Sequence, residues 1–434
     1  MSRILGIELR RSAALGTALM LLVIGVLVLF FAEGIAFKEG WMQLAMTQRL
    51  FLALLWPLAL AAGAWQARRE HRSNVAELFA STPRPRASRT TPTMGALAIA
   101  VVVGYLAQGI AGGLWIIGSA RYLPVGVFVV TAVGALALIA AVWLGLAIGR
   151  LLPQLVTAPA LGVAGLALLL LIPGATRPRG WLALVFSPIY EMNMPGPYAT
   201  VPGRISGSQT IWLVALAVTA VLLVTSNGWR IRLAALLPVV AGAALAIAVM
   251  PHQNRLVTDG VDKVAQELVC AEGTPRVCVS RVHSSMLSEV TTQAREGLAI
   301  LAKLPGAPTE VHEDTTTYGQ DVSPPWQENV VLLHVDAGKS SRLASVVTGA
   351  FDNPPTCQNL TSPTERIAAA YWLLGRAPEE DEYSYDPMFV TEATAQWQKL
   401  RKLPENDAKA RVVALRQAAH NCTENAGLFD KGTQ

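Results

Sequence analysis

Apolar runs of membrane-spanning length occupy most of the first 250 residues of this 434-residue chain. A helix needs about 20 mainly apolar residues to cross a bilayer core, because it rises about 1.5 Å per residue. In lipid the backbone must satisfy its own hydrogen bonds, so each run is expected to be helical. The pattern therefore predicts an α-helical membrane protein with a transmembrane domain at residues 13–250. Its seven predicted transmembrane helices are residues 13–32, 47–65, 95–118, 125–149, 155–174, 210–225 and 233–250.

A basic loop at residues 66–94, between the second and third runs, sets the predicted orientation. Loops rich in Arg and Lys are retained on the cytoplasmic side of a membrane. With this loop and the N-terminus inside, twelve basic residues face the cytoplasm and five lie in outer loops, which is the expected asymmetry. The six arginines of the loop are Arg68, Arg69, Arg72, Arg84, Arg86 and Arg89.

Three shorter features of the first half each have two interpretations. Residues 1–12 alternate arginines with aliphatic residues, which favours a helix lying in the membrane surface or an extension of the first transmembrane helix. Arg49 stands at the outer end of the second run, where its side chain can reach the interface; the alternative is a role in a substrate path. Residues 180–186, GWLALVF, are too short to span, which favours a re-entrant or surface-lying helix over a packed loop.

The composition changes after residue 250. Residues 1–250 contain 18 Lys and Arg against 6 Asp and Glu, whereas residues 251–434 contain 17 against 24. The seventh predicted helix leads the chain outside, so residues 251–434 are predicted to form an extracellular domain. The residue patterns favour an α+β fold with more helix than strand. The predicted helices are residues 256–269, 284–304, 363–374, 387–403 and 408–422, and a strand is predicted at residues 329–335.

All four cysteines of the chain, Cys270, Cys278, Cys357 and Cys422, lie in this second domain. An even number of cysteines in a predicted extracellular domain favours disulfide bonds, and four unpaired buried thiols are the alternative. The short spacing of Cys270 and Cys278 suggests one small loop, which would leave a long-range bond between the other two. Four cysteines allow three pairings, and the sequence leaves all three open.

The sequence contains no motif that argues for catalysis or for binding a cofactor. Residues 337–341, AGKSS, follow a strand-like run, but a phosphate-binding loop needs a glycine where Leu333 stands. The histidines show neither the spacing of a zinc protease nor a ligand pair one helical turn apart, so no metal site is predicted. The basic excess belongs to loops beside the membrane, which favours contact with anionic lipid over binding of nucleic acid.

The first 250 residues resemble the permease subunit of an ABC type-2 exporter, and their Ala- and Arg-rich character is similar to that of actinobacterial permeases. The shared features are the surface helix at residues 1–12, the basic loop between the second and third helices, and the broken apolar segment between the fifth and sixth. The best local match is residues 72–83, RSNVAELFASTP, which are similar to a family loop whose small helix ends at a Ser/Thr-Pro stop. The seventh helix and the cysteine-containing domain are not part of the common family pattern.

The resemblance implies that the basic loop is a coupling helix that docks on a separate ABC ATP-binding subunit. It also implies a second permease copy as partner, ATP hydrolysis by the partner subunit, and a location in a bacterial plasma membrane with the N-terminus in the cytoplasm. The residues implied to contact the ATP-binding subunit are Glu77, Leu78, Phe79, Thr82 and Pro83, and the arginines implied to anchor the loop to lipid and partner include Arg72 and Arg84.

These patterns together favour the transmembrane permease subunit of an ATP-driven exporter that is not itself an enzyme. A membrane-anchored extracellular module for binding or assembly is a second hypothesis, in which the helices are only a scaffold. A membrane-bound hydrolase with an outer active site is a third.

Overall fold

The computed structural model describes residues 6, 8, 13–32, 37–72, 86–189, 195–226, 228–252, 260–317, 326–337, 342–357, 362–379, 387–423 and 429. The chain divides into two compact units. The helical unit comprises Met1–Gly118 and Leu123–Val261, and the C-terminal unit comprises Ser119–Tyr122 and Asp262–Gln434. A short turn from the first half of the sequence therefore groups with the second unit.

Helices, most of them long and apolar, make up most of the helical unit. They are α1 (Ala14–Phe31), α2 (Trp41–Leu50), α3 (Leu52–Arg72), α4 (Arg86–Ile116), α5 (Gly126–Leu151), α6 (Thr157–Ala175), α7 (Gly180–Phe186), α8 (Gly203–Thr225), α9 (Trp229–Ala234) and α10 (Leu237–Val249). Among the described residues, six helical stretches are long and apolar enough to cross a membrane, the last of them formed by α9 with α10. The bent pair α2–α3 makes a seventh if it is counted as one broken span. The predicted α-helical architecture is confirmed, and the length and composition of these helices are compatible with a multi-pass membrane protein.

The second apolar run differs from its prediction. Its helix begins at Trp41, not at residue 47, and it breaks at Phe51, where α2 and α3 meet at 51°. The start was missed because α2 contains Gln43, Gln48 and Arg49, which lower its mean hydropathy. These residues are nevertheless buried, because neighbouring helices of the same unit surround them. The segment at residues 180–186 forms α7, as predicted, and buries Trp181, Leu184 and Val185 among others.

Glycines allow α3 and α5 to cross with their backbones in contact. A Cβ atom added at Gly63 would lie 2.0 Å from the carbonyl oxygen of Val142, and one added at Gly145 would lie 1.9 Å from that of Leu60. Gly149 is one turn further along α5 and approaches Ala64 in the same way. This Gly-x-x-x-Gly spacing is typical of helices that pack closely in lipid. The two helices therefore form a tight pair.

Two short strands lie near the end of the helical unit. β1 (Ala199–Thr200) pairs in antiparallel fashion with β2 (Gly260–Val261). A Cβ atom at Gly260 would lie 2.8 Å from the carbonyl oxygen of Thr200, so the close pairing depends on glycine at this position. The pairing holds Gly260 and Val261, which immediately precede the C-terminal unit in the sequence, against β1.

A four-stranded sheet forms one layer of the C-terminal unit. Its order is β3-β4-β5-β6; β3 runs antiparallel to β4, and the other neighbours are parallel. The strands are β3 (Leu268–Cys270), β4 (Arg276–Ser280), β5 (Glu310–Glu313) and β6 (Val330–Leu333). The helices are α11 (Lys263–Gln266), α12 (Leu287–Leu301), α13 (Leu343–Gly349), α14 (Pro363–Leu374), α15 (Pro387–Arg401) and α16 (Glu405–His420).

The core of the C-terminal unit lies between this sheet and its helices. Strand residues that point to one face, Val277, Val311 and Val331, pack with α12, whose Ala294 and Leu298 lie one turn apart on a single buried face. Val279 and Leu333 extend the same apolar surface along β4 and β6. A parallel pair such as β4 and β5 needs a crossover connection, and α12 provides it.

The predicted elements of the C-terminal unit are partly right. The helices at residues 284–304, 363–374, 387–403 and 408–422 correspond to α12, α14, α15 and α16, and the strand at residues 329–335 corresponds to β6. The helix predicted at residues 256–269 is wrong, because the described part of that segment contains β2, the single turn α11, and β3. Pairing of β3 with β4 overrides the helical pattern there.

Both disulfides predicted for this domain are present. Cys270 and Cys278 are joined by a 2.03 Å S–S bond between directly opposed positions of β3 and β4. Cys357 and Cys422 are joined across 65 residues by a 2.06 Å bond. The structure therefore selects one of the three possible pairings, and it is the one that the spacing suggested.

Candidate functional site at the broken helices

The predicted coupling loop lies mostly outside the described residues. The structure describes the backbone of α3 up to Arg72 and that of α4 from Arg86, but not residues 73–85 between them. The side chain of Arg72 and all of Glu77, Leu78, Phe79, Thr82, Pro83 and Arg84 fall outside it. So do residues 1–12 of the predicted surface helix, apart from Gly6 and Glu8. These assignments stay predictions.

Arg49 is the main correction that the structure makes to the sequence interpretation. Its side chain was expected to reach the membrane interface, but it is 0% exposed and lies beside the break between α2 and α3. A charged side chain inside an apolar bundle is costly unless hydrogen bonds compensate it, and such residues mark functional sites in membrane proteins. The contacts of Arg49 therefore define the candidate site.

Arg49 joins two interruptions of the helical pattern. Its Nη2 donates to the carbonyl oxygen of Pro188, which follows α7, at 2.8 Å. The same nitrogen donates to Oε1 of Gln209 on α8, also at 2.8 Å. Gln209 Nε2 in turn donates to the carbonyl oxygens of Leu184 and Ser187, at 2.9 Å and 3.3 Å. We refer to Arg49, Gln209 and the three carbonyls of Leu184, Ser187 and Pro188 as the Arg49 cluster.

The Arg49 cluster explains how α7 can end inside the unit. The last carbonyls of a helix have no partner within the helix, and an unsatisfied one is expensive away from water. Gln209 and Arg49 supply donors to the carbonyls of Leu184, Ser187 and Pro188. The sequence offered no signal for this pairing, because Arg49 and Gln209 are separated by 160 positions.

Other buried amides continue the polar surface of α2. Gln43 Nε2 donates to the carbonyl oxygen of Pro195 at 3.1 Å, and Gln48 Nε2 donates to that of Tyr105 on α4 at 3.3 Å. These bonds connect α2 with α4 and with the segment that precedes β1. Gln43, Gln48 and Arg49 of α2 are thus held by polar contacts on different sides of the helix, inside a unit whose buried residues are mainly apolar.

Broken helices that meet at buried polar side chains are chemically suited to a transport site. Irregular backbone at membrane depth is tolerated only where protein covers it or where it lines a water-filled cavity. In transporters, interrupted helices supply the polar groups of the binding site, and relative movement of the helices gives access to it. A helix that only anchors a protein in a membrane needs neither a break nor a buried arginine.

A serine, a histidine and a glutamate meet in the C-terminal unit, but not as a hydrolase triad. Ser280 Oγ lies 3.3 Å from Nδ1 of His283, and Oε1 of Glu313 lies 2.5 Å from the same nitrogen. A triad needs the serine and the carboxylate on different ring nitrogens. All three side chains are at most 3% exposed, so a substrate does not reach them. Glu313 also accepts from the backbone N–H of Ser280 at 2.6 Å, which ties the end of β4 to β5.

A small cleft lies where β6, α13 and α16 meet. The rings of Trp326 and His420 form one wall, with their centroids 5.2 Å apart. Burial and the neighbouring Arg416 charge lower the pKa of His420, which favours the neutral imidazole. The guanidinium of Arg416 donates to the carbonyl oxygens of Pro305, Gly306 and Ala350. Arg416 therefore joins the elements around the cleft. The cleft has a cavity volume of about 10 Å³, which is room for about one water molecule and far below the roughly 300–1,000 Å³ of ordinary ligand pockets.

Within the residues that the structure describes, no three His, Cys, Asp or Glu side chains come together as a metal-ligand set. Comparisons with models of protein families, with curated proteins and with solved structures found no match to this chain.

Proposed function

We propose that this chain is the transmembrane permease subunit of an ATP-driven ABC exporter. In this proposal it lies in a bacterial plasma membrane as seven transmembrane helices, with α2 and α3 as one broken span. The N-terminus and the loop at residues 66–94 are cytoplasmic, and the C-terminal unit is extracellular. A second permease copy and separate ATP-binding subunits complete the transporter.

The observation that carries the proposal is the Arg49 cluster. Two interrupted helical segments converge on a fully buried arginine within a bundle of helices long enough to cross a membrane. This arrangement supports a unit whose helices change their relative positions, because it concentrates polar contacts at the breaks. Helices that serve only as a membrane anchor do not require such buried polar contacts at helix breaks.

In this proposal ATP supplies the energy for export. The sequence contains no complete phosphate-binding loop, and a partner subunit binds the ATP. The basic loop supplies a place for that partner, with Leu78 and Phe79 as the apolar residues of its short predicted helix. Closure of the ATP-binding subunits would move this loop together with α3 and α4, as a rigid-body change between two states.

Co-purification with the ATP-binding subunit tests the proposal. The substitution Phe79→Asp places a charge on the predicted docking surface and is expected to abolish co-purification while membrane insertion stays normal. Phe79→Leu keeps an apolar side chain at the same position and serves as the matched control. Undiminished co-purification of the Phe79→Asp chain would count against docking through this loop.

A membrane-anchored binding or assembly module is the second candidate. The observation in its favour is that the C-terminal unit has its own apolar core and two disulfides. The two candidates differ in what they require of the helices. Export depends on the Arg49 cluster, whereas a module that is only anchored keeps its activity when Arg49 is replaced and the chain still inserts.

A further inference from the structure

The start of the last membrane-spanning stretch, which is α9, is open to its surroundings. α9 has no buried residue, although α10, which continues the stretch, packs closely on α8: a Cβ atom added at Gly242 would lie 2.2 Å from that of Ala215. Together α9 and α10 make a stretch of 21 residues, Trp229–Val249. At ~1.5 Å per residue the stretch is about 31 Å long, which matches the roughly 30 Å of a bilayer core. α9 therefore lies at one surface of the membrane when the stretch crosses it.

One face of α9 is apolar and exposed. Trp229 is 67% exposed and Leu233 is 57% exposed. The two residues are four positions apart, which places them on the same face of the helix. Tryptophan is enriched where a membrane meets water, because its ring is apolar and its N–H group is polar. This face is therefore suited to contact the acyl chains of lipids just below their headgroups.

Arg230 and Arg232 stand on the two flanks of this apolar face. At about 3.6 residues per turn, the residue after Trp229 and the residue before Leu233 project to opposite sides of it. Both arginines are exposed, and the Cζ atom of Arg230 lies 5.6 Å from the centroid of the Trp229 ring. Neither arginine takes part in an ion pair between residues that the structure describes. Residues 203–249, which include α8, α9 and α10, contain no Asp or Glu, so these helices carry no counter-charge of their own.

We propose that α9 is a binding site for an anionic phospholipid. A guanidinium group binds phosphate through paired hydrogen bonds, and a headgroup of net negative charge supplies the counter-charge that these helices lack. A zwitterionic headgroup carries its own cation and is bound less well. The phosphate meets Arg230 or Arg232, and an acyl chain lies along Trp229 and Leu233. The proposal assigns a ligand to α9 that export does not require, and it is independent of the ATP-binding subunit.

Fluorescence of Trp229 provides the test, because bromine atoms on an acyl chain quench a tryptophan that they touch. The full-length chain is reconstituted in phosphatidylcholine vesicles with a rising share of brominated phosphatidylglycerol or, in a parallel series, of brominated phosphatidylcholine. The chain has 11 tryptophans, so each measurement is repeated with Trp229→Phe, and the difference is the signal of Trp229. The ratio of the apparent affinities in the two series gives the preference for the anionic lipid at α9.

We expect Trp229 to be quenched by phosphatidylglycerol in preference to phosphatidylcholine. Arg230→Gln and Arg232→Gln should each lower this preference about fivefold, because each removes one charge near the membrane surface. Arg230→Lys keeps the charge and should retain most of the preference. Arg204→Gln is the matched control, because Arg204 is exposed near the start of α8, whereas α9 follows the other end of that helix. It should leave the preference at Trp229 unchanged.

Equal quenching by the two lipids in the native chain would overturn the proposal. So would a preference that survives the double substitution of Arg230 and Arg232 by Gln. A preference that falls as much in Arg204→Gln would overturn it too, because the attraction would then come from the charge of the whole chain. The result is obtained with the chain alone, so failed co-purification with the ATP-binding subunit bears on the exporter proposal and not on α9.

Discussion

Replacement of Arg49 tests the candidate site at the scale of a single residue. Arg49→Met preserves most of the length of the side chain but removes every donor, which leaves the acceptors on Pro188 and Gln209 without this partner. Two buried acceptors that lose a donor are expected to cost about 3 kcal/mol of unfolding free energy. The measurement is the denaturant midpoint of the purified chain in detergent.

The control for this prediction is an arginine elsewhere in the same unit. Arg204 is exposed near the start of α8, so Arg204→Met should change the midpoint little. Arg49→Lys retains the charge and one donor group and should lie between the two variants. Equal denaturant midpoints for Arg49→Met and Arg204→Met would show that the Arg49 cluster does not stabilise the fold.

Single residues of the site were the hardest features to predict from sequence. Hydropathy placed Arg49 at the outer end of the second run, whereas it lies beside the break between α2 and α3, because hydropathy cannot show what surrounds a side chain. The partners of Arg49 come from α8 and from the turn after α7, so its burial depends on tertiary packing. The cysteines were easier, because spacing alone favoured the short loop between Cys270 and Cys278.

The pair α3–α5 gives a prediction at the scale of secondary-structure elements. Gly63→Ala places a methyl group 2.0 Å from the carbonyl oxygen of Val142, so the two helices must separate. Such overpacking is expected to cost about 2 kcal/mol of unfolding free energy. Gly162→Ala is the matched control within α6, because its nearest neighbour, the Cβ atom of Ala61, would lie at an ordinary 3.6 Å. Equal midpoints for the two variants in denaturant would show that the crossing is not tight.

Elements were predictable to the extent that their own residues determine them. Long apolar helices such as α5 and α8 are evident because their length and composition suffice. The start of α2, residues 41–46, was missed because the polar residues of this helix lower its hydropathy and are buried only by other helices. β5, with the sequence Glu310-Val-His-Glu313, carries no strand signal of its own and exists through pairing with β4 and β6.

At the scale of the whole molecule, the distribution of charged residues predicts how the chain is oriented in a membrane. The fold alone is compatible with either orientation. The two units agree with the change in composition along the sequence, although the boundary lies at Val261 and the turn Ser119–Tyr122 belongs to the second unit. That turn could not be assigned from sequence, because the hydrogen bond from Tyr122 to Asp262 joins residues 140 positions apart. The orientation itself follows from the arginines of the basic loop and is open to direct measurement.

Labelling of intact cells with a membrane-impermeant maleimide measures that orientation. The chain offers a clean background, since all four native cysteines are in disulfides and none is free. A cysteine introduced at Lys303, which is exposed on the C-terminal unit, should react in intact cells. A cysteine introduced at Ser81 in the basic loop should react only after the cells are permeabilised. Labelling of Ser81→Cys in intact cells would place the loop outside, where no ATP-binding subunit can reach it, and the exporter proposal would fail with it.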